Sequence, residues 1–513
     1  MEYGGCQQGR TNKHYSTFLN KFRLTELECH AQRKTRYPCA LCDLTAPKKF
    51  VMKKFLLPFI TSLVIINYTH GQADQGNQLG KSIDSLVLEQ VKPNEPGVAI
   101  LIAKKGKIVY EKAFGSANLE LNVPLQSDMI FQIGSITKQF TAVAILHLEE
   151  HGKISLQDSV QKYLKDFPFK GYTITIENLL THTSGIKDFM SIDHPGQDVL
   201  RWDFTPQQLI NHFKNEPLEF NPRSKYNYTN SGYVLLGRII EVVSGKTYYN
   251  YLLENIVQKA GLKNTFFANA DTVIPKRVSS YTKDRGFYDN SDFLSTSLGF
   301  GCGDLLSNVG DLFKWNSALL NGNVIKKGTL EKAFTPYKLS DGTYTNYGYG
   351  WFIDNVGGVK RIHHQGQFSG FVAAEKYFPV DDIFVATIAN VKSPEDKTDF
   401  SANRYRLYEN ISLLAIGKEL QKSVAINSNV LDKYIGVYQL TTAKKRTITI
   451  SKDGDQLVGE LAGQGTTRLL FQTDTKFSFE GVTNATCEFV NENGKTTKII
   501  ISQGGQFVWQ KIK

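Results

Sequence analysis

The chain has 513 residues, 41% of them hydrophobic and 21% charged, with only 15 prolines. Against a usual domain size of roughly 100–200 residues, that length suggests two or three domains with a large core, and the composition excludes a disordered, collagen-like or multi-spanning membrane chain. The formal net charge of +11 is uneven: residues 1–73 hold 11 Lys/Arg and 4 Asp/Glu, the rest 49 and 45, so nucleic-acid or other polyanion binding is not indicated.

In chain order, the first readable element is Met52-Lys53-Lys54 followed by the apolar run 55–66, a polar stretch and Gly71-Gln72-Ala73. A short basic region, a brief apolar run and small residues at alternate positions make a secretory signal over 52–73. The run is well short of the roughly 20 residues of a membrane span. We expect translation to begin at Met52 and residues 1–51 to form an upstream extension outside the mature protein. Four of the six cysteines (Cys6, Cys29, Cys39, Cys42) lie in that extension, and Cys29-His30 with Cys39 and Cys42 fits no common zinc spacing. Cys302 and Cys487 remain, in different expected domains, so no disulfide framework is expected.

From about residue 96 the pattern alternates strands and helices. Residues 97–103 and 107–113 flank a Lys-Lys-Gly-Lys turn and read as a β-hairpin. Residues 135–151 read as a helix, apolar nearly all round and stopped by Gly152, hence buried. Further helices fit 205–215, 233–244, 248–260 and 309–320, and strands return at 349–354, 371–378 and 383–390, before a closing helix at 404–420. Strands at both ends with helices between imply one sheet built from the two termini of a domain spanning 74–420, an α+β fold. Residues 421–430 read as a linker. After it come only short strands and turns, such as Lys452-Asp-Gly-Asp455 and Asn491-Glu-Asn-Gly494, the pattern of a small antiparallel barrel or sandwich over 431–513.

Three motifs carry the chemistry. Ser135-Ile-Thr-Lys138 opens the buried helix, placing a hydroxyl and an amine on one helical face at a helix N-terminus. A serine hydroxyl is a weak nucleophile, and a lysine kept neutral by its surroundings can activate it. Tyr228-Thr229-Asn230 precedes a helix, and His364-Gln365-Gly366 enters a late strand. His363 and His364 alternate across that strand, so they do not chelate one metal ion. His182, in Thr181-His-Thr-Ser-Gly185, reads as a packed, hydrogen-bonded loop histidine.

Ser-x-x-Lys, Tyr-x-Asn and His-x-Gly in this order resemble the penicillin-recognising serine hydrolases: class C-type β-lactamases, D,D-carboxypeptidases and related esterases. The resemblance runs from about residue 98 to 417. It implies an antiparallel sheet flanked by helices with a helical subdomain, and it assigns roles. Ser135 becomes the acylated nucleophile, Lys138 its activating partner and Tyr228 a proton relay. Asn230, His364, Gly366 and Gln367 become substrate-binding positions, with the amides of Ser135 and Gln367 forming the oxyanion hole. Gly366 is expected to spare room for an approaching acyl group. The third motif has His-Gln-Gly where β-lactamases have Lys-Thr-Gly or Lys-Ser-Gly, which shifts weight from β-lactams toward esters and other amides. Pro222-Arg223 stands where relatives have Pro-Gly. The C-terminal domain resembles the small lipocalin-like module that follows some of these hydrolases.

The resulting expectation is an exported, periplasmic or secreted serine hydrolase acting on a D-amino-acid peptide, a cell-wall fragment or a small ester. It needs no cofactor and no metal, and its partner is a small-molecule or peptide substrate. No nucleic acid and no stable membrane span after signal cleavage are expected, and an oligomer is left open. The alternatives are a penicillin-binding or sensor protein that acylates without efficient turnover, and a barrel adhesin with a vestigial hydrolase domain.

Overall fold

The computed structural model describes residues 78–513 except 193–198, 269–270, 285, 393–399, 421–423, 425, 443–445, 455, 462–465, 480–485 and 503–505. The expected signal segment, the upstream extension and its four cysteines lie outside the described residues. Strand β1 (Val98–Lys104) has six consecutive buried residues, which requires cover on both faces. It pairs with β2 (Lys107–Phe114) on one side. Strands β3 (Phe352–Val356), β4 (Val359–Phe368), β5 (Phe371–Phe378) and β6 (Ile383–Ala389) complete an antiparallel sheet of order β3-β4-β5-β6-β1-β2. The sheet is thus assembled from the two ends of the domain. Its period of two sorts each strand between two cores: Ala99, Leu101 and Ala103 face one, Val98, Ile100 and Ile102 the other.

The second face is covered by helix α1 (residues 78–88), through Ile83 and Val87, and by the C-terminal helix of the domain, Phe400–Ala415, through Leu407, Tyr408 and Ile411. A buried ion network fastens that helix to the sheet. Arg361 donates to Asp354 and Glu409 at 2.7–2.8 Å, and Lys376 donates to Glu409 at 2.7 Å. Each buried charge has an opposite partner, which such burial demands.

The first face carries the helices inserted between β2 and β3. Helix α2 (Thr137–Glu150) lies at their centre, its first twelve residues all buried. It packs beside α3 (Asn230–Ser244), capped by the Thr229 hydroxyl and ended by Gly245, and α4 (Val309–Asn321), capped by Asn308. Phe140 of α2 stacks on Trp315 of α4 with centroids 4.1 Å apart. The expected helix over 248–260 is α-helical only at Tyr248–Leu252 and continues as a π-turn, Leu253–Val257. Among the described residues, no helix is long and apolar enough to cross a membrane.

The C-terminal domain resolves the barrel-or-sandwich alternative. Eight strands from Gly436–Leu440 to Gln506–Lys511 pair in sequence order, and the last pairs with the first to close a barrel. Alternating apolar residues fill its interior, with Tyr434 stacked on Phe489 at 4.0 Å and Phe477 on Phe489 at 4.5 Å.

Candidate active site

The Ser135 segment is clamped from both sides before any substrate arrives. Strand Phe131–Gln132 pairs with Leu305–Ser307, Ile133 N–H donates to Leu305 O at 3.0 Å, and Thr137 Oγ1 accepts from Leu305 N–H at 3.1 Å. Gly134, at φ +51°, turns the chain into the 3₁₀ turn Gly134–Ile136, which runs directly into α2. Ser135 is left partly exposed, while Lys138, one turn on, is fully buried.

The amine of Lys138 touches three oxygens: Ser135 Oγ at 3.1 Å, Asn230 Oδ1 at 2.9 Å and Cys302 O at 2.9 Å. Burial lowers its pKa to about 8, against partial opposition from Asp188 and Asp304. A neutral amine has two N–H donors and one lone pair. With the donors on Asn230 and Cys302, the lone pair is free to take the Ser135 proton. The Tyr228 ring lies 4.8 Å from the same nitrogen. Burial raises the Tyr228 phenol above the usual tyrosine range, and nearby Ser135 offsets this only in part. No well-angled hydrogen bond closes on its hydroxyl among the described residues.

Asn230 is itself held. Its Nδ2 and its backbone N–H both donate to Asp188 Oδ2, at 3.0 and 3.1 Å. His182, at φ +56°, accepts the Thr229 N–H on Nδ1 at 3.2 Å and packs 4.3 Å from the Tyr228 ring. Burial keeps its pKa well below the usual histidine value. It therefore supports the Tyr228–Asn230 loop as a neutral ring.

Two sequence-level placements change. His364 lies on β4 but is buried. Its Nδ1 donates to Gln365 O at 2.6 Å, and its Nε2 accepts from Tyr347 Oη at 3.0 Å. With both nitrogens engaged and its pKa lowered to about 3 by burial, it backs the Tyr228–Tyr347 cluster and does not line the cavity. Gly366 is required for a different reason from the one expected. A Cβ there would meet Ile133 O at 1.9 Å and Ser135 N at 2.9 Å, so the glycine lets β4 press against the Ser135 turn. The reciprocal contact is as close, since a Cβ on Gly134 would meet Gln367 N at 2.5 Å. These contacts bring the backbones bearing the Ser135 and Gln367 amides together, as an oxyanion hole requires.

Ser135, Tyr228, Asn230 and Gln367 line one cavity of about 470 Å³, within the range that holds a small ligand. Asp188 and the Cys302 carbonyl escaped the sequence reading. Asp188 stands in no recognisable motif, and a backbone oxygen has no side-chain signature. Among the described residues, no three His, Cys, Asp or Glu side chains gather as metal ligands.

The family model described as Beta-lactamase matches residues 83–408, and one described as Domain of unknown function (DUF3471) matches residues 420–511. Penicillin-binding protein 4* of Bacillus subtilis is 28% identical over 433 residues, covering 79% of this chain and 93% of that one. The octameric penicillin-binding protein homologue from Pyrococcus abyssi superimposes with a TM-score of 0.58 at 27% identity, over 85% of this chain and 99% of that chain. A D-stereospecific amidohydrolase from Streptomyces gives 0.53 at 25% identity, over 61% and 94%.

Proposed function

We propose, for a chain that belongs to the Beta-lactamase family of serine hydrolases, that it is exported and cleaves an amide or ester bond through an acyl-enzyme on Ser135. The observation that carries this reading is the Lys138 amine, 3.1 Å from Ser135 Oγ and held by burial near a pKa of about 8. Neutral Lys138 takes the Ser135 proton as Oγ attacks the substrate carbonyl carbon. The amides of Ser135 and Gln367 receive the developing oxyanion. As the tetrahedral species collapses, Tyr228 relays the proton held by Lys138 to the departing amine or alkoxide, leaving Lys138 neutral again. Water then attacks the ester on Ser135, its proton passing through Tyr228 to Lys138; as the acyl–oxygen bond breaks, Lys138 returns that proton to Ser135 Oγ and the carboxylic acid leaves.

The substrate class in this reading is a D-amino-acid peptide or amide, a cell-wall fragment or a small ester. The D-stereospecific amidohydrolase among the similar structures supports it, as does the absence of a lysine from His364-Gln365-Gly366. Export is supported by the penicillin-binding relative and the signal pattern at 52–73. The octameric homologue supports a homo-oligomer. The C-terminal barrel is read as a lipocalin-like accessory module. The test is steady-state turnover of p-nitrophenyl acetate and a D-amino-acid amide by protein beginning at residue 74. Sustained turnover by wild type, lost in Ser135→Ala, is expected. A single stoichiometric burst with no turnover would replace the hydrolase reading with that of a penicillin-binding sensor.

A further inference from the structure

The chain from Gly301 to Leu305 runs along the start of α2 and is bonded to it three times. Thr141 Oγ1 donates to Gly301 O at 2.7 Å, Lys138 Nζ donates to Cys302 O at 2.9 Å, and Leu305 N–H donates to Thr137 Oγ1 at 3.1 Å. The turn is also closed on itself, since Cys302 N–H and Gly303 N–H both donate to Gly299 O, at 2.8 and 2.7 Å. It has no room for added bulk. A Cβ on Gly299 would meet Asp304 N at 2.9 Å, and one on Gly301 would meet Tyr233 O at 2.7 Å.

Asp304 ends this turn, and its carboxyl is poorly provided for. The side chain is fully buried, and Oδ1 has no hydrogen-bond partner among the described residues. Oδ2 accepts a long bond, 3.4 Å, from Gly301 N–H across the turn. A buried carboxylate needs donors or a cation nearby. The groups that face it are Lys138 from α2, Cys302 in its own turn, and Tyr248 and Tyr249 from the short helix Tyr248–Leu252. Of these, Lys138 can supply a positive charge. Lys138 is faced in turn by Asp188, by the Tyr228 ring and by His182 and His364, both kept neutral by burial. Burial raises the Asp304 carboxyl to about 7 and lowers the Lys138 amine to about 8, so the two groups change charge in neighbouring pH ranges.

We infer that Asp304 is a positioning residue for Lys138: its carboxyl spans the turn that offers the Cys302 carbonyl to the amine, and its charge sets the pH at which that amine becomes a competent base. The inference rests on the acyl-enzyme reading, in which neutral Lys138 takes the Ser135 proton. An uncharged Asp304 leaves the amine free to be neutral, whereas an ionised one holds a proton on it.

The test is the dependence of kcat/KM on pH for p-nitrophenyl acetate, with the full exported chain as wild type and as Asp304→Asn. The substitution keeps the size of the side chain and removes its charge. The midpoint of the acid limb should fall by about one pH unit, so that kcat/KM at neutral pH rises several-fold relative to its own plateau. Should circular dichroism show Asp304→Asn unfolded, Asp304→Ser carries the same expectation, and failure of both to fold would reduce Asp304 to a folding residue and withdraw its role toward Lys138. A midpoint unmoved or moved upward would overturn the inference, and a lower plateau at an unchanged midpoint would show a purely structural residue. Wild-type turnover with unshifted limbs strikes this inference alone. Failure of wild type to turn over any ester would instead strike the acyl-enzyme reading and this inference with it.

Discussion

The residue on which the proposed chemistry turns is Lys138, and its burial makes a pH prediction with a definite sign. Only the neutral amine accepts a proton, and it is half neutral at about pH 8. Consequently kcat/KM should rise about tenfold per unit on the acid side and level off above about pH 8; a pH–rate profile already flat from neutrality would contradict it. Gly366→Ala should fold yet lose about 10²-fold or more in kcat/KM, because the new Cβ displaces Ile133 and the Ser135 turn. Circular dichroism alongside kinetics checks both halves. Arg223 sits at φ +69°, which gives physical content to the Pro-Gly of relatives at this point. Arg223→Gly should stabilise the protein by about 0.5–1 kcal/mol, the left-handed strain being partly offset by glycine's extra freedom when unfolded, as urea unfolding would show. At this scale the pairing of Ser135 with Lys138 was legible because a three-residue spacing on a helix puts both side chains on one face, whereas Tyr228 and Asn230 were named through the ordered motifs of the resemblance. The setting of His364 was not legible, because spacing does not say which partners its nitrogens find. Asp188 was not, because its contact to Asn230 spans 42 residues.

Among the elements, α2 holds the site, and its orientation is fixed from behind. Gln139, next to Lys138, receives Trp315 Nε1–H on its Oε1 at 3.0 Å and donates its Nε2 to Glu375 on β5. Burial raises the Glu375 carboxyl to about 7. Between about pH 4.5 and 7 the folded state therefore keeps a proton that the unfolded chain has released, and stability should fall as pH rises through that window. Glu375→Gln should reduce this slope, leaving the part due to Asp304, whose carboxyl burial also raises to about 7. Unfolding free energies at the two ends of the window measure it, and an unchanged slope would remove Glu375 from the account. The long elements were readable in the sequence: β5 at residues 371–378 and α4 within one residue. Helix α3 begins three residues earlier than its apolar pattern, because Thr229 caps it and Asn230 is already helical. The strands Phe131–Gln132 and Leu305–Ser307 were unreadable, since so few residues show no period.

Over the whole molecule, the barrel core around Tyr434, Phe477 and Phe489 shares no residue with the two cores that sandwich the hydrolase sheet. Calorimetry should show two transitions, and acylation of Ser135 should raise only the hydrolase transition; one cooperative transition shifted as a unit would contradict this. The fold class was readable because strands at both ends of a domain with helices between them point to one shared sheet, whereas barrel closure rests on one long-range strand pairing, Tyr438, Gln439 and Leu440 with Lys511, Gln510 and Trp509. The central claim is covalent chemistry at Ser135, and intact-protein mass spectrometry followed over time tests it most directly. Protein from residue 74, wild type and Ser135→Ala, would be incubated with a fluorescent penicillin, a p-nitrophenyl ester and a short D-Ala-D-Ala peptide. The account predicts an acyl adduct on Ser135 that forms and decays as product accumulates with at least one of them, and none on Ser135→Ala. Equal behaviour of the two proteins, with no adduct on either, would contradict it.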